Sequence, residues 1–381
     1  ENNFHAKKTA RASSANPPLM EEKTAARRLA KRNSLHEKYP NSVDSLGQAG
    51  YRFSTQVMLK FSRLSMGLTA GLLLAGLNTV SAAKNVDAAD PKKVDADFKF
   101  QGEYAGSLGG QYDVGAQVIA LGGGKFKMVL YPGGLPGAGY DGGEKREYDG
   151  ARDGDTVTFT GGTTGKIISG GKLTFERDGQ SFSIDRTIRK SPTLSAKPPE
   201  GATVLFDGKS AKNFKPGKMT EDGLLMEGAN SVAKFQSHKL HLEFRLPYEP
   251  TRRGQGRANS GCYLQARYEV QVLDSFGLAG KHNECGGIYS IKDPDLNMCF
   301  PPLQWQTYDI DFTAAKFDKD GKKTANARIT VRHNGVLIHD NVELPKRTTA
   351  SPLAEGPEPG FLHLQDHSNP LRFRNIWVVK K

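Results

Sequence analysis

Short runs in which apolar and polar residues alternate recur along most of this chain. Leu242, Phe244 and Leu246 alternate with His241, Glu243 and Arg245, and Tyr308, Ile310 and Phe312 alternate with Asp309 and Asp311. A period of two sends successive side chains to opposite faces, so each run predicts a strand with one buried and one wet face. The pattern predicts strands over 116–121, 125–131, 156–160, 172–177 and 181–188. It predicts a second series over 240–246, 261–273, 306–312, 327–333, 336–339, 360–365 and 371–379. Gly122–Gly124, Pro132–Gly137, Asp178-Gly179 and Asn334-Gly335 supply turns between them, and Asn-Gly suits a tight hairpin because it tolerates positive φ. Helical periodicity is scarce. The expected fold is all-β, with a two-sheet antiparallel sandwich over 203–381 preceded by a small antiparallel β domain over 97–189. Residues 83–96 read as a polar linker and residues 190–202 as a Pro-rich linker or strap.

The longest run holds a puzzle. Leu264, Ala266, Tyr268, Val270 and Val272 form an apolar face, while Gln265, Arg267, Glu269 and Gln271 form an unbroken polar row. The row is either an ordinary wet surface or the lining of a groove for a polar ligand. Like-facing positions on a strand lie roughly 7 Å apart, which suits the hydroxyls of a sugar.

Charge changes the picture little. The chain has 381 residues, 43 of them Gly, and a formal charge of +12. Residues 1–57 hold 10 Lys and Arg against 5 Asp and Glu, and no folded segment concentrates basic charge as a nucleic-acid surface would. From Met58, Lys60 and Arg63 precede an apolar stretch over Leu68–Leu77 and the small residues Val80-Ser81-Ala82. This is the layout of a signal peptide over 58–82. The expected destination is periplasmic or extracellular, or membrane-anchored if the segment is not cleaved. Residues 1–57 then read as an extension upstream of a start at Met58, or as a disordered tail before an anchor.

Candidate chemistry is sparse. Of three cysteines, Cys285 and Cys299 bracket a loop with Gly and Pro and are expected to pair as a disulfide. Asp366-His367 closes a strand at the lip of a loop, where His367 could act as acid or base or the pair could form a plain turn. Asp309 and Asp311 share a face and raise the possibility of a divalent cation. Trp305 could stack on a sugar or anchor a core. No serine-hydrolase elbow, zinc-protease helix, P-loop or dinucleotide fingerprint is present in its required context.

Six ordered blocks carry a resemblance: LFDGKS (205–210), NSGCYLQ (259–265), YEVQVLDS (268–275), GGIY (286–289), QWQTYDI (304–310) and LQDHSNPLRFRNIWV (364–378). Residues 203–380 resemble the 3-keto-disaccharide hydrolase family, once described only as a domain of unknown function. The resemblance implies a concanavalin-like jelly roll that acts on 3-keto-glycosides by 1,2-elimination or by hydration of the glucal product. The implied ligand is an oxidised sugar, with neither nucleic acid nor a protein partner. Carried onto this sequence, it implies His367 and Glu269 as acid and base, and Arg267 and Gln271 on the keto or enolate oxygen. Gln365, Asn259, Asp274 and Trp305 would complete the substrate groove. Gln306, where Asn is common, Ser368, where Gly is common, and the long loop before Asn259 depart from the family pattern. A non-catalytic carbohydrate-binding module of the cell envelope is the alternative, since one fold hosts many functions. His367→Ala is expected to abolish turnover of a 3-keto-glucoside while leaving the fold intact, as read by an aglycone-release assay beside circular dichroism.

Overall fold

The computed structural model describes residues 88–161, 164–168 (backbone only), 171–177 and 179–381. The expected extension over 1–57 and signal peptide over 58–82 lie outside the described residues.

The first eight strands are β1 (Gly102–Leu108), β2 (Tyr112–Gly122), β3 (Lys125–Pro132), β4 (Arg146–Asp153), β5 (Thr156–Thr160), β6 (Thr164–Ile168), β7 (Lys172–Arg177) and β8 (Gln180–Thr187). Each pairs antiparallel with the next, and β1 pairs with β8 to close a barrel. Closure removes the free edges that would otherwise invite pairing with other chains. Even-numbered residues of β2 and β3, such as Val118, Ala120, Phe126 and Met128, face the barrel interior. Odd-numbered Ile119, Val129 and Tyr131 instead join the core of the second domain. These strands are therefore buried on both sides, which explains the nearly continuous apolar run along β2.

The second domain contains β9 (Thr203–Phe206), β10 (Phe214–Lys215), β11 (Leu225–Met226), β12 (Ala229–Phe235), β13 (His238–Arg245), β14 (Ser260–Leu264), β15 (Tyr268–Val272), β16 (Trp305–Thr313), β17 (Lys316–Phe317), β18 (Lys323–Ala325), β19 (Ala327–His333), β20 (Val336–Leu344), β21 (Gly360–Leu364) and β22 (Arg372–Lys380). A five-stranded sheet runs β10-β12-β21-β14-β15. A seven-stranded sheet runs β11-β22-β13-β16-β19-β20, with β9 also on β22. Leu242, Phe244, Tyr308, Ile310 and Phe312 from the larger sheet meet Leu264, Tyr268, Val270 and Leu364 from the smaller in one core. The all-β sandwich and the small β domain before it are as the alternation predicts. Asn334 and Gly335 turn at φ 50° and 81°, as the β19–β20 hairpin requires.

Two segments expected to be linkers are built into the fold. In the first, the Ala88 carbonyl accepts the Tyr248 N–H at 2.7 Å, and Asp95 accepts the Tyr248 hydroxyl at 2.8 Å. In the second, residues 191–196 cross the outer face of the seven-stranded sheet as a strap. The Ser191 and Thr307 hydroxyls lie 2.6 Å apart, and Thr193 donates to Asp309 at 2.6 Å. The Ser195 N–H donates to Glu243 at 2.5 Å, and Asn375 donates to the Ala196 carbonyl at 2.9 Å. Polar side chains that period-two reasoning assigned to water are thus partly spent on the chain itself.

Arg189 sits where barrel, strap and sandwich meet. It grips the buried Glu103 through two nitrogens, at 2.7 and 2.5 Å, donates to the Pro136 carbonyl at 2.6 Å, and lies 5.0 Å from the Phe300 ring centre. Gln117 donates to Glu103 at 3.1 Å and accepts from Tyr131 at 2.8 Å. Close by, Gly277 (φ 80°) lets a sandwich loop press on the barrel wall, since a Cβ there would lie 2.5 Å from the Ile119 side chain. Arg189→Ala would leave the buried Glu103 without a cation, with only the Gln117 amide beside it, so urea unfolding of this variant should register a loss of about 3 kcal/mol or more.

Candidate functional site

The site is built on the outer face of the five-stranded sheet. The segment 261–273 was expected to be one strand and is instead a hairpin. Gln265 and Ala266 adopt φ of 53° and 54°, and the Arg267 N–H closes the turn on the Leu264 carbonyl at 3.0 Å. Gly261 therefore pairs with Gln271 and Tyr263 with Glu269. A three-residue connection keeps odd residues opposite odd residues, so the polar parity survives although the row folds back on itself. On the other side of β14, His363 pairs with Tyr263, and Asn230 of β12 pairs with His363. Paired residues share a face, so Asn230, His363, Tyr263 and Glu269 form a row across the sheet.

Glu269 is only 3% exposed. Its backbone is fixed by Thr348, whose hydroxyl accepts the Glu269 N–H at 3.0 Å, and by the Tyr289 N–H on its carbonyl at 3.3 Å. Its carboxyl group lies over Gly261, where a Cβ would come within 2.2 Å of the Oε1 atom and 2.6 Å of the Tyr263 ring. Only glycine leaves this space. Burial pushes the Glu269 carboxyl up to about 8, and a hydrogen bond from the Tyr263 hydroxyl opposes the shift only in part. No cation contributes to its titration among the described residues. At neutral pH Glu269 is therefore mainly a protonated acid. Burial holds Tyr263 neutral, and its oxygen lies 3.3 Å from the Gln365 amide nitrogen.

His363 has the opposite disposition. Its Nδ1 lies 2.6 Å from the Asn230 Oδ1. An amide oxygen only accepts, which assigns the proton to Nδ1 and leaves the Nε2 lone pair free. Burial lowers its pKa, so the imidazole is neutral at pH 7. Its ring centre is 5.1 Å from that of Tyr263. The row thus sets a neutral base and a neutral acid on either side of a tyrosine, with Cα atoms about 10 Å apart across two strand spacings.

The residues expected from sequence fall into three groups. Glu269, Gln271 and Gln365 share the site face; Gln271 is 3.1 Å from Gln255 Oε1 and 3.4 Å from Asn259 Oδ1. Asn259 also donates to the Gln255 carbonyl at 2.8 Å, beside this end of the row. His367 is exposed in the turn after Gln365, with the Ser368 N–H on Asp366 at 2.8 Å, and no hydrogen bond or ring contact holds its imidazole among the described residues. Arg267 donates to the carbonyls of Ala354 and Glu358 at 2.6 and 2.8 Å, anchoring that loop. Asp274 is buried and paired with Arg257 at 2.5 Å.

Two expectations need correction. Trp305 is not on this face: it pairs with Arg245 in the other sheet, where odd residues of β16 face outward, and its ring stacks under Arg374 at 4.0 Å. Cys285 and Cys299 are free thiols, as is Cys262, and all are buried. The two sulfurs interact as hydrogen-bonding neighbours, with Cys285 3.3 Å from the Tyr308 hydroxyl. Asp309 and Asp311 have other partners: Asp309 holds His241 at 2.6 Å and Asp311 is taken by Lys381. No group of three or more His, Cys, Asp or Glu side chains suited to a metal occurs among the described residues.

His241, Glu243 and Asp309 form a second His–carboxylate cluster beneath the strap. Its hydrogen-bonding capacity is spent internally. Burial would raise Glu243, but hydrogen bonds from His241, Asn375, Arg374 and the Ser195 N–H hold it down at about 2.

Sequence reading missed Tyr263, His363 and Asn230. Tyr263 had a signal, since it continues the odd parity of Glu269 and Gln271 once the strand is allowed to turn. His363 and Asn230 had none, because only strand pairing brings residues so distant in sequence beside Tyr263.

Residues 201–379 match the profile of the 3-keto-alpha-glucoside-1,2-lyase-like domain. Two crystal structures of candidate glycosyl hydrolases from Parabacteroides distasonis ATCC 8503 are similar to the chain. One is 32% identical, with a TM-score of 0.44, and the match covers 48% of this chain and 85% of that one. The other is 19% identical, with a TM-score of 0.36, covering 48% and 94%. No curated protein matches the chain significantly.

The Glu269 shift makes a stability prediction. Its folded pKa is raised above the ordinary value of 4.5, so the native state holds the proton more tightly than the unfolded chain. Stability should fall as pH rises from about 5 to about 9. Glu269→Gln should flatten that limb in urea unfolding series run across the range.

Proposed function

Since this chain belongs, through residues 201–379, to the 3-keto-alpha-glucoside-1,2-lyase-like domain family, we propose that its site cleaves 3-keto-glycosides by acid–base elimination. The observation that carries the reading is the opposed tuning of Glu269 and His363 in one row. Environments that push two titratable groups apart mark an acid and a base. A C3 ketone acidifies the hydrogen on C2. His363 Nε2 takes that proton, the electron pair forms the C1–C2 double bond, and the C1–O bond breaks. Glu269 gives its proton to the departing oxygen. The Gln365 amide, with a second N–H beyond the one it gives Tyr263, is the donor best placed for the enolate oxygen, a role in which one donor is typically worth about 10²–10³ in rate.

Hydration can run on the same groups in reverse. The Glu269 carboxylate takes a proton from water as its oxygen adds to C1, and the His363 imidazolium returns a proton to C2. Both residues regain their starting states, and the sum is hydrolysis. Asn230 acts through His363 by fixing its tautomer. We further propose that the chain is exported, on the strength of the leader-like segment at 58–82.

The test is aglycone release by the purified chain from Lys84 onward, with 3-keto-glucosides beside their unoxidised parents, with and without EDTA. Release from the keto compounds alone is expected. His363→Ala and Glu269→Gln should each cost about 10²–10⁴ in rate, whereas His367→Ala should cost little. Activity should fall as pH rises through about 8, where Glu269 loses the proton it must give. Equal loss in His367→Ala with none in His363→Ala would move the base to the exposed loop. Binding without turnover would favour a carbohydrate-binding module, and release from unoxidised glucosides would point to an ordinary glycosidase.

A further inference from the structure

The barrel has one filled end and one open end. Towards the β2–β3 turn, Val118, Ala120, Phe126 and Met128 fill the interior with Phe100 and the sandwich residue Tyr248. Towards the β1–β2 turn the interior opens into a cavity of about 900 Å³, near the upper end of the roughly 300–1,000 Å³ usual for ligand sites.

The inward register continues into this mouth but changes chemistry. Leu108 pairs with Tyr112, Met128 with Tyr148, Leu130 with Arg146, and Phe175 with Phe182. Tyr112, Tyr148 and Phe182 line the cavity together with Arg146 and Gln180. Tyr112 is 69% exposed, an unusual state for an aromatic that serves only a core. Asp113, Asp141 and Glu144 stand on the rim. Among the described residues, the side chains of Asp113, Glu144, Arg146 and Gln180 have no hydrogen bond or ion pair.

These features narrow the ligand. Three carboxylates against one guanidinium disfavour an anion. Among the described residues, the packed lower half leaves no apolar channel for an acyl chain. Flat aromatic faces offer surfaces for the C–H faces of a sugar ring, and unspent carboxylates, amide and guanidinium can meet hydroxyls.

We propose that the mouth of the barrel is a binding site for a neutral oligosaccharide, separate from the Glu269 site. The proposal stands on the barrel and does not depend on the reaction assigned to the sandwich. It gives residues 102–187 the task of holding a glycan while the sandwich acts on sugar.

The experiment is calorimetric titration of the chain from Lys84 onward with cellotriose, maltotriose and chitotriose, and with tri-galacturonate and laurate as anionic and acyl probes. At least one neutral trisaccharide is expected to bind. Tyr112→Ala should weaken it roughly tenfold, and Asp113→Asn should weaken it less. Tyr112 is exposed, so its variant should keep the parental melting temperature. Glu269→Gln should leave this binding unchanged. Binding of no neutral trisaccharide, or of tri-galacturonate or laurate alone, would overturn the proposal. So would binding that survives Tyr112→Ala and disappears in Glu269→Gln, which would place the sugar in the sandwich.

Discussion

The pairing of Arg189 with Glu103 is the constraint on which the arrangement turns. A carboxylate this deeply buried must be matched, because an unpaired one costs several kcal/mol. The match comes from the last residue before the strap, so satisfying Glu103 also fixes where the chain leaves the barrel. From that point residues 191–196 have a defined course over the seven-stranded sheet. The same guanidinium lies against Phe300 of the sandwich, while β2 and β3 pack their outward residues into the sandwich core. One ion pair thus coordinates three pieces of chain, and it leaves the outer face of the five-stranded sheet to other work.

Three of the buried glutamates on this scaffold have different fates. Glu103 has a guanidinium. Glu243 has His241, Arg374, Asn375 and a backbone N–H, and stays ionised at any ordinary pH. Glu269 has a tyrosine hydroxyl and a glycine, and keeps its proton near neutrality. The residue type is the same in each case; the donors around it separate the fasteners Glu103 and Glu243 from the acid Glu269. A carboxyl group kept dry without a cation lowers stability, and proteins tolerate that mainly where the proton is needed.

The sequence carried much of the fold because alternation reports burial directly. The strands over 240–246, 306–312, 327–333 and 360–365 lie close to where alternation put them. It failed at Gln265 and Ala266, where the apolar and polar parities run unbroken through a turn and nothing but the backbone records the reversal. Glu269 was legible as a polar residue in a good strand, but its pKa was not, since burial by the segments around Thr348 and Tyr289 is a tertiary property. His367 stood out because it lies in a motif-like loop, whereas only strand pairing places His363 beside Tyr263. Trp305 was placed in the groove by the resemblance, and parity could not check this, because it tells which side of a strand a residue faces and not which sheet the strand joins.

The strap bears on how this domain is to be delimited. The stretch that resembles other proteins begins at residue 201, yet Ser191, Thr193, Ser195 and Ala196 supply hydrogen bonds that Thr307, Asp309, Glu243 and Asn375 use in the sandwich. The unit marked by descent and the unit that folds do not share a boundary. A gene fragment cut at the edge of similarity would carry every residue of the Glu269 row and still strip the opposite sheet of the covering its polar face was shaped to receive.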